Sequence, residues 1–280
     1  MKKKSLILKF ILTGIIYSII TCLIQVPVAN ILFSILKIES NTSLSNEMLP
    51  LLLLSIFIVG FSMAYFYYKK GHLFFSQNKL KQSIKFALFI YLSNYIPQVF
   101  FLDANNGLQS LVDGGFPVIQ VELFDFLILI FTVLLMGLCM PCKSKEENLK
   151  NKVKYWQCIL CGIVFSMVMV ILEEIFLPLF GIQSMAEGLN VSTSNMSFFY
   201  GVMIIGFILA GYLVSYNALK IRNQNDYFCL YYGIFIWCAF DFTMLPLGFG
   251  IMPTISFIIV SIIAFILIDR LCKYFIRLNR

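Results

Sequence analysis

The chain has 280 residues, of which 60% are hydrophobic and only 12% are charged, with a mean hydropathy of +0.89 and a net charge of +7. A soluble globular domain needs far more charge on its surface, so this composition excludes that class and indicates a polytopic membrane protein. A helix needs roughly 20 apolar residues to cross about 30 Å of hydrocarbon, which leaves room for about eight crossings and no sizeable soluble domain.

Eight apolar segments are long enough to cross a bilayer as helices. In chain order they lie near 8–37, 49–68, 84–102, 121–141, 156–182, 198–219, 227–248 and 251–269. Their apolar runs are nearly continuous, whereas the strands of a membrane β-barrel alternate apolar and polar residues over segments of about ten. The sequence therefore predicts an all-α bundle of eight transmembrane helices, called spans 1 to 8 below.

Lysine and arginine lie almost entirely on one side of these spans. With the N-terminus inside, only Lys37 of the 21 basic residues falls outside. Short loops rich in lysine and arginine stay in the cytoplasm, so we expect a multi-pass protein of the cytoplasmic membrane with both termini inside. The basic face is expected to attract anionic lipids. Its charge is spread over short loops without a folded platform, so nucleic acid is not an expected partner.

The two halves of the chain resemble each other. Three pairs of segments align at a period of about 146–149 residues, the third after a small gap. They are Ile11–Ser18 with Ile159–Ser166, Val59–Ala64 with Ile205–Ala210, and Phe89–Pro97 with Phe235–Pro246. Four crossings per repeat is an even number, so the halves insert in the same direction. The sequence predicts two parallel four-helix repeats, 1–145 and 146–280.

Each of spans 1, 3, 5 and 7 carries a proline in its outer part. These prolines are Pro27, Pro97, Pro178 and Pro246. A proline inside a helix lacks an N–H group and disturbs the carbonyl four residues earlier. Polar partners in an internal cavity could satisfy those carbonyls, or the prolines could be ordinary kinks of membrane helices. Both interpretations stay open at the level of sequence.

Polar side chains within the spans are the candidate binding residues. Glu173 and Glu174 lie in the outer third of span 5 and Asp241 lies in span 7. In the first half, Asn94 and Gln98 lie on span 3 and Gln25 on span 1. The repeat pairs Gln25 with Glu173 and Asn94 with Asp241, so amides stand in the first half where acids stand in the second. We expect these six residues to line a cavity in the outer half of the bundle.

The acids are the most informative of these residues. A carboxylate at this depth costs about 2.5–3.5 kcal/mol on insertion scales unless it is paired, hydrated or protonated. No lysine or arginine lies in the outer half of these spans, so the acids must share protons, reach water or bind a cation. Adjacent Glu173 and Glu174 diverge by about 100° on a helix, so one should face the bundle and the other a neighbouring helix or the interface. Alternatively, both are hydrated at the outer surface.

The cysteines suggest a second possible site. Cys139 with Cys142, and Cys158 with Cys161, form two pairs with the spacing of a zinc ribbon across the loop between spans 4 and 5. Four thiolates there could bind zinc. Cysteine is also a common small buried hydrophobe, and two of these residues belong to apolar runs. Cys22, Cys229, Cys238 and Cys272 are scattered along the chain.

An enzymatic function is disfavoured. The run Glu173-Glu174-Ile-Phe resembles the first motif of intramembrane CAAX-type proteases, over four residues only. That family pairs its glutamates with a nearby arginine and with histidines on later helices. Here no arginine follows Glu174, and the single histidine, His72, lies in a predicted cytoplasmic loop.

Two classes of function fit the sequence. The first is a secondary carrier or channel-like protein whose acids bind a proton or a cationic solute. The second is an accessory or assembly subunit of a larger complex, whose polar residues lock helices together and whose basic loops hold a soluble protein partner.

Overall fold

A computed structural model describes residues 3–22, 49–74, 78–95, 97, 153–188, 191–221, 226–245 and 250–279. Across these ranges every regular element is helical. We number the main helices α1 (Lys3–Ile20), α2 (Leu49–Lys70), α3 (Lys79–Ile90), α4 (Tyr155–Leu179), α5 (Met196–Leu219), α6 (Phe228–Asp241) and α7 (Ile251–Leu278). They correspond to spans 1, 2, 3, 5, 6, 7 and 8, because span 4 lies outside the described residues.

Four of these helices are long and apolar enough to cross a membrane. They are α2 with its terminal 3₁₀ turn (Leu49–Phe74), α4, α5 and α7. Two other helices, α1 and α6, are apolar but shorter, at Ser5–Ile20 and Phe228–Asp241. The predicted helical, membrane-associated character of the chain is confirmed at this level. The count of eight spans and the repeat remain predictions.

The helix ends that carry lysine meet at one end of the bundle, which we call the basic end. There Gln157, near the start of α4, exchanges side-chain hydrogen bonds with Asn279, just after α7. Lys70 at the end of α2 forms an ion pair with Asp226, which precedes α6. The contacts place the N-termini of α4 and α6 beside the C-termini of α2 and α7. Helix α4 therefore runs antiparallel to α7, and α2 runs antiparallel to α6.

Glycines allow close helix contacts in each half. A Cβ atom on Gly162 of α4 would lie 2.5 Å from the carbonyl oxygen of Ile208 on α5. In the first half, a Cβ atom on Gly14 of α1 would lie 2.7 Å from the Phe57 ring on α2. Small residues at such contacts let the backbones of membrane helices approach closely, where dispersion attraction is strongest. The sequence alignment pairs these two glycines.

Aromatic rings fill the space between α4, α5, α6 and α7. The Phe165 ring lies 5.9 Å from that of Phe207, 5.6 Å from that of Trp237 and 4.8 Å from that of Phe265, measured between centroids. Phe165 and Phe265 are fully buried. This packing joins the four helices of the second half into one core and fixes the positions of the polar side chains next to it.

Each of α1, α3, α4 and α6 contains or continues into a π-helical stretch. These stretches are at 21–22, Tyr91–Tyr95, Ile171–Phe176 and Gly233–Trp237. In α4 the N–H of Leu177 donates to the carbonyl of Leu172, five residues earlier, directly before Pro178. A π turn adds a residue to the helical turn and is frequent at functional sites. The four stretches fall in the four spans that carry an outer proline.

Candidate functional site

Glu173 is a buried acid without a full set of partners. It lies in the π-helical stretch of α4 and is only 1% exposed. Its Oε2 atom has no hydrogen-bond partner among the described residues. A buried carboxyl oxygen that lacks a partner is costly and calls for an explanation, such as a bound proton, ion or water.

Asp241 is the second buried acid of the cluster, at the end of α6. It is 7% exposed, and its Oδ2 atom accepts a hydrogen bond of 2.9 Å from the Ser261 hydroxyl on α7. The Glu173 carboxyl is close enough to those of Asp241 and Glu174 for their charges to interact. No lysine or arginine is among the described groups that act on Glu173 in this way. Helices α4, α6 and α7 thus build a polar cluster rich in carboxyl oxygen.

Glu174 faces different surroundings from its neighbour. Its Oε1 atom accepts a hydrogen bond of 3.0 Å from the backbone N–H of Met185, and its Oε2 atom accepts one of 3.1 Å from the Tyr200 hydroxyl on α5. Met185 begins a short helix, Met185–Gly188, in the connection between α4 and α5. Both oxygens of Glu174 are therefore occupied by protein donors that hold this connection against the bundle.

The short helix is also held by its own cap. The Ser184 hydroxyl accepts from the N–H of Glu187, and the Glu187 carboxylate accepts from the N–H of Ser184, both at 3.1 Å. This reciprocal pair is a capping box, which satisfies two otherwise unpaired N–H groups. Ser184, Met185 and Ala186 are all buried. The connection is a folded element packed over the acidic end of α4.

We expect Glu174→Gln to loosen this connection, because the glutamine amide carries no charge and can keep both contacts only if the Tyr200 hydroxyl turns from donor to acceptor. Charge-assisted hydrogen bonds are roughly twice as strong as neutral ones. Hydrogen exchange at the Met185 amide should accelerate about tenfold, which corresponds to a decrease of about 1.4 kcal/mol in the free energy of local opening. Glu187→Gln is the matched control, because glutamine also completes a capping box. Equal exchange in the two variants would contradict the anchoring role of Glu174.

Asn94 is a fully buried polar residue of the first half. It lies in the π-helical stretch after α3, is 0% exposed, and neither atom of its amide group has a hydrogen-bond partner among the described residues. Its neighbour Ser93 donates to the Phe89 carbonyl at 2.5 Å and lies 2.7 Å from the Tyr232 hydroxyl of α6. Through the contact with Tyr232 the first half meets α6, the helix that carries Asp241. Gln25 and Gln98 lie outside the described residues.

The cysteines adopt an arrangement that the sequence pattern does not indicate. The Cys272 sulfur of α7 lies 3.9 Å from that of Cys161 and 4.0 Å from that of Cys229. Cys158 is buried elsewhere, beside the Lys154 carbonyl at 4.0 Å. Within the described ranges, no group of three or more histidine, cysteine or acidic side chains is placed to hold a metal ion. Cys139 and Cys142 lie outside them, so the four-cysteine zinc site stays a prediction.

Sequence reasoning misses several partners of the site. Ser261 interrupts the apolar run of span 8, and that interruption is the available signal for a polar contact inside the bundle. Tyr200 and Tyr232 carry no such signal, since tyrosine is common in membrane helices and at their ends. Three-dimensional packing alone identifies them as partners of Glu174 and Ser93.

Comparison of the chain with protein-family models, with curated protein sequences and with solved structures finds no match. The observations that bear on function are therefore those of the site itself.

Proposed function

We propose that the protein is a secondary carrier or channel-like protein of the cytoplasmic membrane that binds a proton or a cationic solute at Glu173 and Asp241. The observation that carries this proposal is the pairing of two buried carboxyl groups on neighbouring helices without a basic partner among the described residues. Charged groups in membrane helices are rare, and those that face a bundle interior commonly belong to ion or proton pathways.

The chemistry of the pair suits a cycle of loading and release. With a proton or a cation bound, the two carboxyl groups carry less net charge and fit the apolar interior of the bundle. Without it, they repel each other and favour entry of water or of a new cation. The free Oε2 atom of Glu173 and the second oxygen of Asp241 are the ligands that the site offers. Oxygen ligands suit protons and hard cations rather than soft metals.

In this proposal Glu174 is an anchor and not a ligand. Its two oxygens already accept hydrogen bonds from Met185 and Tyr200. The connection that it holds packs over the end of α4, next to the acidic pair. We therefore assign the binding role to Glu173 and Asp241, with Asn94, Gln98 and Gln25 as the amide counterparts supplied by the first half.

The proposal includes eight spans in two parallel repeats, 1–145 and 146–280. Two features support the repeat beyond the sequence alignment. The aligned residues Gly14 and Gly162 each lie at a close contact between the first two helices of their half. Each odd-numbered span also has a π-helical stretch before its outer proline. Both features are expected if the two halves share one origin.

The topology can be tested by labelling single cysteines introduced into the loops. Substitutions at Ser45, Asn106 and Ser192 should react with a membrane-impermeant maleimide applied from outside, and one at Ser144 should react only after permeabilisation. This expectation follows from the placement of all basic residues except Lys37 on one face. Reversal of any one of these loops would contradict the eight-span arrangement and the parallel orientation of its halves.

The proposed function itself is tested with purified protein in lipid vesicles. Vesicles that contain the wild-type protein should show uptake driven by a pH gradient or by a gradient of a monovalent or organic cation, above the rate of protein-free vesicles. Absence of flux across a broad panel of cations would instead favour the accessory-subunit interpretation. In that case a soluble protein bound to the basic loops should co-purify with the chain.

A further inference from the structure

Among the residues that the structure describes, an open groove runs along α6 where this helix meets α2. Five of its lining residues, Tyr227, Leu230, Tyr231, Ile234 and Phe235, form one face of α6, and the sixth is Tyr65 of α2. None of the six is fully buried, and Tyr227 and Ile234 are 48% and 41% exposed. The groove is thus an open, mostly apolar surface with tyrosines concentrated toward the basic end.

Three lysine ammonium groups lie over the three tyrosine rings of the groove. The distances to the ring centroids are 5.6 Å for Lys69 on Tyr65, 4.9 Å for Lys70 on Tyr231, and 3.3 Å for Lys273 on Tyr227. Cation–π contacts of this kind fix the position of long, otherwise mobile side chains. Lys69, Lys70 and Lys273 therefore hold defined positions at the basic end of the groove, and we call this set of lysines the rim.

The charges of this rim are unequally compensated. Lys70 forms an ion pair with Asp226, and Lys273 forms one of 2.8 Å with Asp269. Among the residues that the structure describes, Lys69 has no carboxylate partner. The rim thus offers one uncompensated positive charge, that of Lys69 over the Tyr65 ring, because its other two cations are paired with carboxylates.

The dimensions of the groove match part of a lipid molecule. From Tyr227 to Phe235 is eight residues, about 12 Å along a helix axis, beginning at the basic end. A positive group at the interface followed by an apolar channel of this length suits a phosphate and the upper part of an acyl chain. Tyrosine and lysine are also the residues that anchor membrane proteins at the head-group level.

We propose that this groove binds one anionic glycerophospholipid, with its phosphate at Lys69 and an acyl chain along Leu230, Ile234 and Phe235. An anionic head group is favoured over a zwitterionic one because the quaternary ammonium of phosphatidylcholine would add a positive charge to a rim that already carries one in excess. This inference is independent of the proposed transport function, since the groove uses none of the acidic residues of the candidate site.

The test measures lipid retention by native mass spectrometry of the full-length protein. The protein is incubated in mild detergent with equal amounts of phosphatidylglycerol and phosphatidylcholine. The wild type should retain one phosphatidylglycerol molecule in preference to phosphatidylcholine. In Lys69→Gln this preference should fall about fivefold, which corresponds to the loss of the attraction between one lysine and the net negative charge of phosphatidylglycerol, about 1 kcal/mol near a membrane surface. Lys220→Gln is the matched control, because Lys220 lies over Tyr216, 3.9 Å from its ring centroid, and outside the groove.

A second variant tests the apolar part of the groove. Ile234→Trp should fill the channel and remove the retained lipid, whatever its head group. Equal retention of the two lipids by the wild type, or equal effects of Lys69→Gln and Lys220→Gln, would overturn the proposal. Protein that is found as a dimer without lipid, and that becomes monomeric in Ile234→Trp, would assign the groove to a second copy of the chain instead.

Discussion

Gly162→Ala is expected to destabilise the folded protein by about 1–3 kcal/mol, the usual cost of forcing an extra methyl group into a packed interface. The added Cβ would lie 2.5 Å from the Ile208 carbonyl oxygen and 3.3 Å from its carbonyl carbon, so α4 and α5 must move apart. A flexible side chain could rotate away from such a contact, but a backbone carbonyl can move only together with its helix. Alanine is otherwise about 1 kcal/mol better than glycine in a helix, which makes a loss of stability diagnostic of packing.

The measurement is the midpoint of thermal unfolding in detergent, followed by intrinsic fluorescence. Gly201→Ala on α5 is the matched control, because no atom lies within 4 Å of the position that its Cβ would take, and the variant should be neutral or slightly stabilised. The equivalent change in the first half, Gly14→Ala, should have a smaller effect, since its nearest neighbour is the movable Phe57 ring. Equal midpoints for Gly162→Ala and Gly201→Ala would contradict the close contact of α4 with α5.

The helices can be predicted from sequence because an apolar run of about 20 residues has few alternatives in a membrane. Their ends are less predictable. The apolar run of span 1 predicts a helix that extends to residue 37. The structure describes this span to residue 22, where the α-helix passes after Ile20 into a π turn. Composition carries no information on such a turn, since it depends on how a helix accommodates a downstream proline and its neighbours.

The candidate site is predictable in its residue types but not in their roles. The cost of a buried acid identifies Glu173, Glu174 and Asp241 without any structure. Which of two adjacent glutamates faces the bundle depends on helix rotation, and the π stretch at Ile171–Phe176 changes that rotation locally. The contact of Cys161 with Cys272 depends in the same way on the packing of α4 against α7, which no local pattern specifies.

Glu173→Gln and Asp241→Asn are expected to abolish most cation-dependent or proton-dependent flux while leaving the fold intact. Each change removes a charge and retains shape, and an asparagine at 241 can still accept the Ser261 hydrogen bond. They also recreate the amides Gln25 and Asn94, which the proposed repeat aligns with these positions. A bond to a charged group contributes about 1.5–3 kcal/mol, so flux should fall at least about tenfold. Unfolding midpoints should match or exceed that of the wild type, because a buried charge is removed.

Glu174→Gln provides the control for this pair of variants. It changes the same residue type at the adjacent position, where both carboxyl oxygens serve as anchors for the connection between α4 and α5. We expect it to retain at least about half of the flux, a change of well under 1 kcal/mol in the barrier. A general effect of removing acidic charge from this end of α4 would reduce the flux of Glu173→Gln and Glu174→Gln alike.

The most direct test is the initial rate of potential-driven proton or cation entry into vesicles that contain equal amounts of wild-type, Asp241→Asn or Glu174→Gln protein. The account predicts entry in the wild type and in Glu174→Gln, and a rate close to that of protein-free vesicles in Asp241→Asn. Wild-type and Asp241→Asn vesicles with the same rate of entry would contradict it.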